Sequence, residues 1–152
     1  MKYRLETGAR SNFLIFLVHA FWFISMFPGR IGADSAALIR MIRNGQSTDW
    51  WTSNFYWFVR ITSINGRFVW LTSIFQLLTM FLALKTLVEA MNVDARIRNR
   101  MVLFISLTPL YGVFAMTIGH DATQTAGIML LVALRFRSIA SKTEDVEINK
   151  VL

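Results

Sequence analysis

The chain has 152 residues, enough for one domain, of which 55% are apolar and 14% aromatic, and its mean hydropathy is +0.47. These apolar residues come in long uncharged runs, which indicates a membrane protein and argues against a soluble one. The formal net charge of +7 raises nucleic acid as a partner, but no basic helix with interleaved aromatics supports it. The absence of cysteine excludes a disulfide, a Cys-ligated metal site and a thiol nucleophile within this chain.

Four apolar segments are predicted to cross a bilayer, at residues 12–28, 68–90, 101–119 and 122–138. A span takes about 17 to 25 residues, so the fourth segment must continue through two arginines whose side chains reach the headgroups. The basic leader also leaves open a cleaved signal peptide, although three later spans favour a retained anchor. We therefore predict an all-α integral membrane protein with about four transmembrane helices.

The basic residues predict the orientation of the chain. They precede the first segment, fill the inner loop at residues 91–100 and follow the fourth segment, where residues 139–152 form a polar tail. The outer loop at residues 29–67 carries fewer for its length. The positive-inside rule therefore places both termini in the cytoplasm.

The outer loop is predicted to be structured. Residues 35–44 place Leu38, Ile39 and Ile42 on one stripe and arginines on the other, which predicts an interfacial amphipathic helix. Aromatic side chains then crowd into residues 49–58, as expected of rings at headgroup level. The same rings can stack on a sugar, and both interpretations stay open.

Local signals mark the ends of the second and third segments. Residues 63–66 predict a turn before the second, and Lys85 with Glu89 predicts an i,i+4 ion pair where that helix leaves the membrane. Pro109 and Gly112 predict a kink in the third segment, which neighbouring helices tolerate by satisfying the freed carbonyl.

Two carboxylates, Asp34 and Asp121, are predicted on the outer face. Each opens a helix, where a carboxylate caps N–H groups and complements the helix dipole. Alternatively the two converge, take a proton from an attacking hydroxyl, and hold a divalent metal or orient a lipid-borne phosphate. Asp49 is a weaker third candidate. Arg30 is either a ligand of that phosphate or an interfacial anchor.

The two histidines are predicted at different depths. His19 lies in the middle of the first segment and His120 lies beside Asp121, about 15 Å apart in depth at a helical rise of 1.5 Å per residue. A haem held between them within one copy is therefore not expected. We predict that His19 and Gln76 make interhelical hydrogen bonds and that His120 assists Asp121.

Three short motifs carry a resemblance to a known family. They are Phe27-Pro28-Gly29-Arg30-Ile31-Gly32-Ala33-Asp34-Ser35, Gly45 to Trp50 with Asp49-Trp50 at its end, and Gly119-His120-Asp121. The layout resembles the amino-terminal part of GT-C superfamily membrane glycosyltransferases. In many bacterial members the first helix ends in aromatic-Pro-Gly, an Asp-Ser follows in the first outer loop, and a second acidic motif lies between the third and fourth spans.

The resemblance implies transfer of a sugar from a polyprenyl-phosphate donor on the outer face of a bacterial inner or plasma membrane. It implies that Asp34 is the catalytic base and that Asp121 helps to position the donor or to bind a metal, with Mg²⁺ or Mn²⁺ shared by both acids. Arg30, Asp49, Trp50 and His120 are then the substrate-binding residues.

Two departures from the family qualify the resemblance. Its members are several hundred residues long, and their aromatic-His-Pro after the second loop aspartate is missing, because Asp49 is followed by Trp50-Trp51. The chain is therefore expected to be an amino-terminal module, a truncated member or a small relative that needs other membrane subunits.

The competing hypothesis is a small non-catalytic four-helix membrane protein that acts as an assembly, flippase or transporter subunit. Asp34 and Asp121 are then helix caps, and the aromatic loop is a partner surface. Carboxylates close together at a lipid-accessible outer cleft favour the transferase, whereas carboxylates that face solvent separately favour the non-catalytic protein.

Overall fold

The structure is a computed structural model that describes residues 2–47, 53–91 and 93–151, with side chains described for residues 13–47, 53–91 and 93–139. Over these ranges the chain forms seven helices and no strand, which confirms the all-α prediction. The helices are α1 (Lys2–Ser25), α2 (Ala33–Arg43), α3 (Ser53–Thr62), α4 (Val69–Ala90), α5 (Ala95–Leu107), α6 (Pro109–Met116) and α7 (His120–Val151).

Within the described part of the chain, α4 is the one helix long and apolar enough to cross a membrane by itself. Helices α5 and α6 pass the same test together if they form one broken span, with a bend of 69° between them. In α1, Phe13–Ser25 is a shorter apolar stretch. Length and composition therefore support one or two spans here, and the four-span topology stays a prediction.

Helix boundaries near the third predicted span differ from the expectation. The predicted kink at Pro109 is a full break, because Thr108 ends α5 and caps α6, its side chain accepting a hydrogen bond from the Tyr111 N–H at 3.3 Å. Helix α5 begins at Ala95, six residues earlier than predicted. The Asp94 side chain caps it by accepting a hydrogen bond from the Arg96 N–H in the first turn. The predicted inner loop is correspondingly shorter.

The main core lies between α1, α4, α5 and α6, with α7 packed along α4. On α7, Ala122, Ala126 and Ala133 are almost fully buried. Small side chains let two helix backbones approach closely, which is how membrane helices gain packing contacts. Helix α7 then continues as far as Val151, within the segment predicted to be a polar tail.

A second, smaller core forms between α2 and α3. Leu38, Ile39 and Ile42 are buried, so the predicted amphipathic stripe is confirmed. The stripe is covered by Phe55 and Val59 of α3 and is therefore not available for insertion into lipid, as an interfacial helix requires. Phe55 belongs to the aromatic segment predicted at residues 49–58, so this part of it packs in a core, while Trp57 of the same segment is exposed.

Polar side chains also join the helices of the main core. His19 Nε2 lies 3.0 Å from the Tyr111 hydroxyl, and its Nδ1 lies 2.8 Å from the Ile15 carbonyl oxygen. Gln76 Nε2 donates to the Ala115 carbonyl at 3.1 Å. The interhelical hydrogen bonds predicted for His19 and Gln76 are confirmed.

Other local predictions are also borne out. Lys85 and Glu89 form the predicted pair at 4.0 Å, and Arg137 lies 3.7 Å from the same carboxylate. The turn at residues 63–66 is present, with positive φ at Ile64, Asn65 and Gly66. The structure thus agrees with the local signals at both ends of α4.

Close packing at Gly112 joins α1 to the break between α5 and α6. Trp22 Nε1 donates to the Ser106 carbonyl at 2.8 Å, and the Trp22 ring lies on Gly112 so closely that a Cβ there would overlap it. No such neighbour surrounds Gly127 on α7, where a Cβ would meet open space.

Substitution of Gly112 by alanine is predicted to destabilise the fold by about 1–3 kcal/mol, because the Trp22 ring must move out of a packed site. Gly127→Ala is the matched control and is expected to stabilise α7 by about 0.5–1 kcal/mol. Thermal unfolding of the purified protein, followed by tryptophan fluorescence, measures both. Equal midpoints for the two variants would contradict the close contact between α1 and α6.

Candidate functional site

The segment after α1 is hydrogen-bonded to the segment between α6 and α7. The Arg30 N–H donates to the Met116 carbonyl at 2.9 Å, and the Ile118 N–H donates to the Arg30 carbonyl at 3.0 Å. These bonds form a parallel bridge between Arg30 and Thr117. The Ser35 hydroxyl also donates to the Ile118 carbonyl. The two predicted site motifs are therefore joined at one end of the helical bundle.

Side chains of helix α4 hold both segments by donating hydrogen bonds to their carbonyl oxygens. Gln76 Nε2 donates to the Thr117 carbonyl at 2.5 Å, and the Ser73 hydroxyl donates to the Pro28 carbonyl at 2.9 Å. Gly29 has a φ of +122°, and a Cβ there would overlap the Ser73 side chain. The Pro-Gly motif thus meets a packing and backbone requirement, since only glycine fits this close approach to α4.

The two predicted catalytic acids lie on the joined segments, in the first turns of α2 and α7. Asp34 and Asp121 are both exposed, Asp121 with 69% of its side chain accessible. Neither occupies the N-cap position, because Gly32 caps α2 and α7 begins at His120. Each carboxylate still complements the dipole of its helix.

His120 pairs with Asp121 as predicted. His120 Nε2 lies 3.0 Å from Asp121 Oδ1, which orients the imidazole beside the carboxylate. The other side of the ring packs against α3, with the Phe55 ring centroid 6.1 Å away in an edge-on arrangement. The pair therefore links the start of α7 to the second core.

Two clefts flank the start of α7. A groove of about 170 Å³ runs between α6 and α7, with Leu110, Phe114 and Asp121 in its lining. A wider cleft of about 410 Å³ lies between α3, α4 and α7. Its lining residues are Asn54, Phe55, Phe58, Thr79, His120, Thr123 and Gln124. His120 and Asp121 thus stand between an apolar groove and a mixed polar cleft.

The other predicted site residues are less constrained. Arg30 has an exposed side chain, and its described role is the backbone bridge. Asp49 and Trp50 lie outside the described residues. Among the residues that the structure describes, no group of three His, Cys, Asp or Glu side chains could hold a metal ion. Metal binding by Asp34 and Asp121 stays a prediction.

Sequence reasoning missed the polar side chains that complete the site. Ser35 gave a signal, because it follows Asp34 in the motif, but its bond to Ile118 depends on chain segments far apart in sequence. Asn54 and Gln124 gave none, because isolated amides beside apolar runs are common. Only the packing of α3 beside α7 brings these two amides to one cleft.

Comparisons with known proteins give no relative for this chain: no family profile, no curated protein and no solved structure matches it.

The junction between the two segments is open to a direct test, because the chain contains no cysteine. The double variant Arg30→Cys/Thr117→Cys is predicted to form a disulfide on mild oxidation, since bridged residues lie within the Cα separation of about 4.4–6.8 Å that a disulfide needs. Arg30→Cys/Asn99→Cys is the control, because Asn99 lies near the start of α5 at the other end of the bundle. Intact mass and protection from maleimide measure the bond. Equal protection in both pairs would contradict the bridge.

Proposed function

We propose that this chain is an integral membrane protein of about four spans that transfers a sugar from a polyprenyl-phosphate donor at the outer face of the membrane. The carrying observation is the hydrogen-bonded junction between the segments that hold Asp34 and Asp121. A shared site requires its groups on adjacent segments, and the proposed acids lie in the first turns of the helices that follow the two joined segments.

In the proposed reaction, an acceptor hydroxyl oxygen attacks the anomeric carbon of the donor sugar. The bond from that carbon to the phosphate oxygen breaks, polyprenyl phosphate leaves, and the hydroxyl proton passes to Asp34. Asp121, oriented by His120 at 3.0 Å, positions the sugar or a divalent ion such as Mg²⁺ or Mn²⁺. Arg30, and with it Asp49 and Trp50, binds the donor.

The distribution of exposed apolar side chains supports a bilayer environment for the bundle. Large apolar side chains are exposed on five helices: Phe13, Phe16, Phe21 and Ile24 on α1, Phe75, Leu78 and Leu82 on α4, Phe104 and Leu107 on α5, Leu110 on α6, and Ile128, Leu131 and Leu134 on α7. Apolar exposure on this scale marks a membrane or partner surface. Membrane lipid is therefore the first proposed partner of the chain.

The proposed topology predicts that Ser47 and Ala95 lie on opposite sides of the membrane. Both have exposed side chains, and either one mutated to cysteine gives a protein with a single thiol. In intact bacterial cells, a membrane-impermeant maleimide is expected to label Ser47→Cys, and to label Ala95→Cys only after permeabilisation. Labelling of both from the same side would contradict the four-span topology with cytoplasmic termini.

Loss of the proposed base is predicted to abolish sugar transfer. In proteoliposomes that contain polyprenyl-phosphate hexoses and an envelope lipid extract as acceptor, Asp34→Asn is expected to lower the release of polyprenyl phosphate at least about 100-fold, the scale of general-base catalysis. Asp121→Asn is expected to lower it as well. Wild-type turnover is the reference.

Asp94→Asn is the matched control, because it makes the same charge change at the start of α5, beyond the end of α4 that lies roughly 20–25 Å from the junction. Asn also caps helices well, so α5 should persist. Unchanged turnover in Asp34→Asn, or no turnover by the wild type with any hexose donor, would contradict the proposal.

The alternative function is a non-catalytic subunit of a membrane assembly, flippase or transporter. The observation that favours it is the exposure of both carboxylates in first turns of helices, where they act on the dipoles of α2 and α7. In that case Asp34→Asn and Asp121→Asn lower the unfolding midpoint slightly and abolish no binding or transfer.

A further inference from the structure

We propose that the cleft between α3, α4 and α7 binds a neutral, hydroxyl-rich group of the size of a sugar. The inference deepens the proposed function, since it assigns the sugar to one cleft, but the cleft's chemistry carries it separately. The cleft holds about 410 Å³, within the range of about 300–1,000 Å³ typical of small-molecule sites.

The polar lining matches hydroxyl groups. The side-chain amides of Asn54 and Gln124 each carry N–H donors and a carbonyl acceptor. A sugar hydroxyl both donates and accepts hydrogen bonds, so it can pair with either group of an amide. The hydroxyl of Thr79 donates to the Phe75 carbonyl at 2.7 Å, and that of Thr123 donates to the His120 carbonyl at 2.8 Å. Because their protons are used, these two hydroxyl oxygens offer acceptor lone pairs to the cleft.

The apolar lining suits a pyranose face. Phe55 and Phe58 come from the same face of α3, with ring centroids 6.3 Å apart and ring planes 25° apart. Phe55 is buried in the second core, which fixes its position. A sugar ring has a C–H face that packs on an aromatic ring and hydroxyls at its edge that meet amides. The cleft thus combines aromatic and amide side chains in one lining.

The charge of the lining argues for a neutral ligand. No Lys or Arg lines the cleft in the described part of the chain, and its lining residue His120 is paired with the Asp121 carboxylate. A phosphate there would lie near this carboxylate and find no Lys or Arg partner. The sugar, and not the phosphate of a lipid-linked donor, is therefore the group that this cleft fits.

The cleft also adjoins an exposed apolar surface of α4. Thr79 lies near the middle of α4, beside the exposed Leu78 and Leu82 of the same helix. A ligand in the cleft can therefore keep an alkyl chain against this apolar surface while its polar group reaches Gln124 near the start of α7. A lipid-linked sugar and a free sugar share the same headgroup chemistry, and the test separates them.

The test is equilibrium binding to the full chain in nanodiscs, measured by saturation-transfer NMR and calorimetry. The probes are hexyl glycosides of glucose, galactose and mannose, the corresponding free hexoses, and hexyl phosphate as the anionic control with the same chain. We expect at least one glycoside to saturate the site and hexyl phosphate not to compete with it. Binding of the free hexose with equal affinity assigns a soluble sugar, and binding of the glycoside alone assigns a lipid-linked one.

Asn54→Ala and Gln124→Ala are each expected to weaken glycoside binding about three- to tenfold, the loss of one or two hydrogen bonds. Both side chains are exposed, so both variants should fold, and unchanged unfolding midpoints verify this. Gln46→Ala is the matched control, because Gln46 is exposed and outside the cleft. Absence of glycoside binding, equal affinity in all three variants, or equal competition by hexyl phosphate would overturn the inference.

The two proposals fail separately. If the protein binds glycosides, loses this binding in the cleft variants and has no transferase activity, the proposed function is wrong and the cleft assignment stands. If the protein binds no glycoside and its sugar transfer is unchanged in Asn54→Ala and Gln124→Ala, the cleft assignment is wrong and the proposed function stands.

Discussion

Backbone hydrogen bonds between the segment after α1 and the segment before α7 hold the candidate site together. The two bonds join residues far apart in sequence, and both are made by Arg30. The Ser35 side chain of α2 adds a further hydrogen bond, to the Ile118 carbonyl. Because the two Arg30 bonds are made by the main chain, they fix the direction in which both helices begin, and with it the position of Asp34 and Asp121.

The junction in turn depends on polar groups of an otherwise apolar helix. Ser73 and Gln76, one turn apart on α4, hold one segment each through a carbonyl oxygen. These carbonyls belong to irregular chain that lacks helical partners, and an unpaired carbonyl in an apolar environment costs several kcal/mol. A fully apolar α4 would pack well but would leave the junction unsatisfied. Helix α4 therefore supports both the bundle and the site.

Hydropathy and local capping were sufficient to predict much of the fold. They predicted the bounds of α4 to within one residue, the apolar stripe of α2, the turn before α4 and the helix interruption at Pro109. Each of these features depends on residues that are close in sequence. Hydropathy did not predict that α3 covers α2, because an aromatic-rich segment suits a headgroup belt and a buried core equally well. Which applies depends on a neighbouring helix that the local sequence does not identify.

The candidate site was predictable in its acids but not in its cavity. Asp34 and Asp121 stand out because charged residues are rare beside apolar runs, whereas Asn54 and Gln124 gain meaning only once α3 lies beside α7. That placement depends on Phe55, which packs into the second core on one side and against the His120 ring on the other. A single buried aromatic thus joins the small core to the His120–Asp121 pair, so the second core serves as the wall of the cleft.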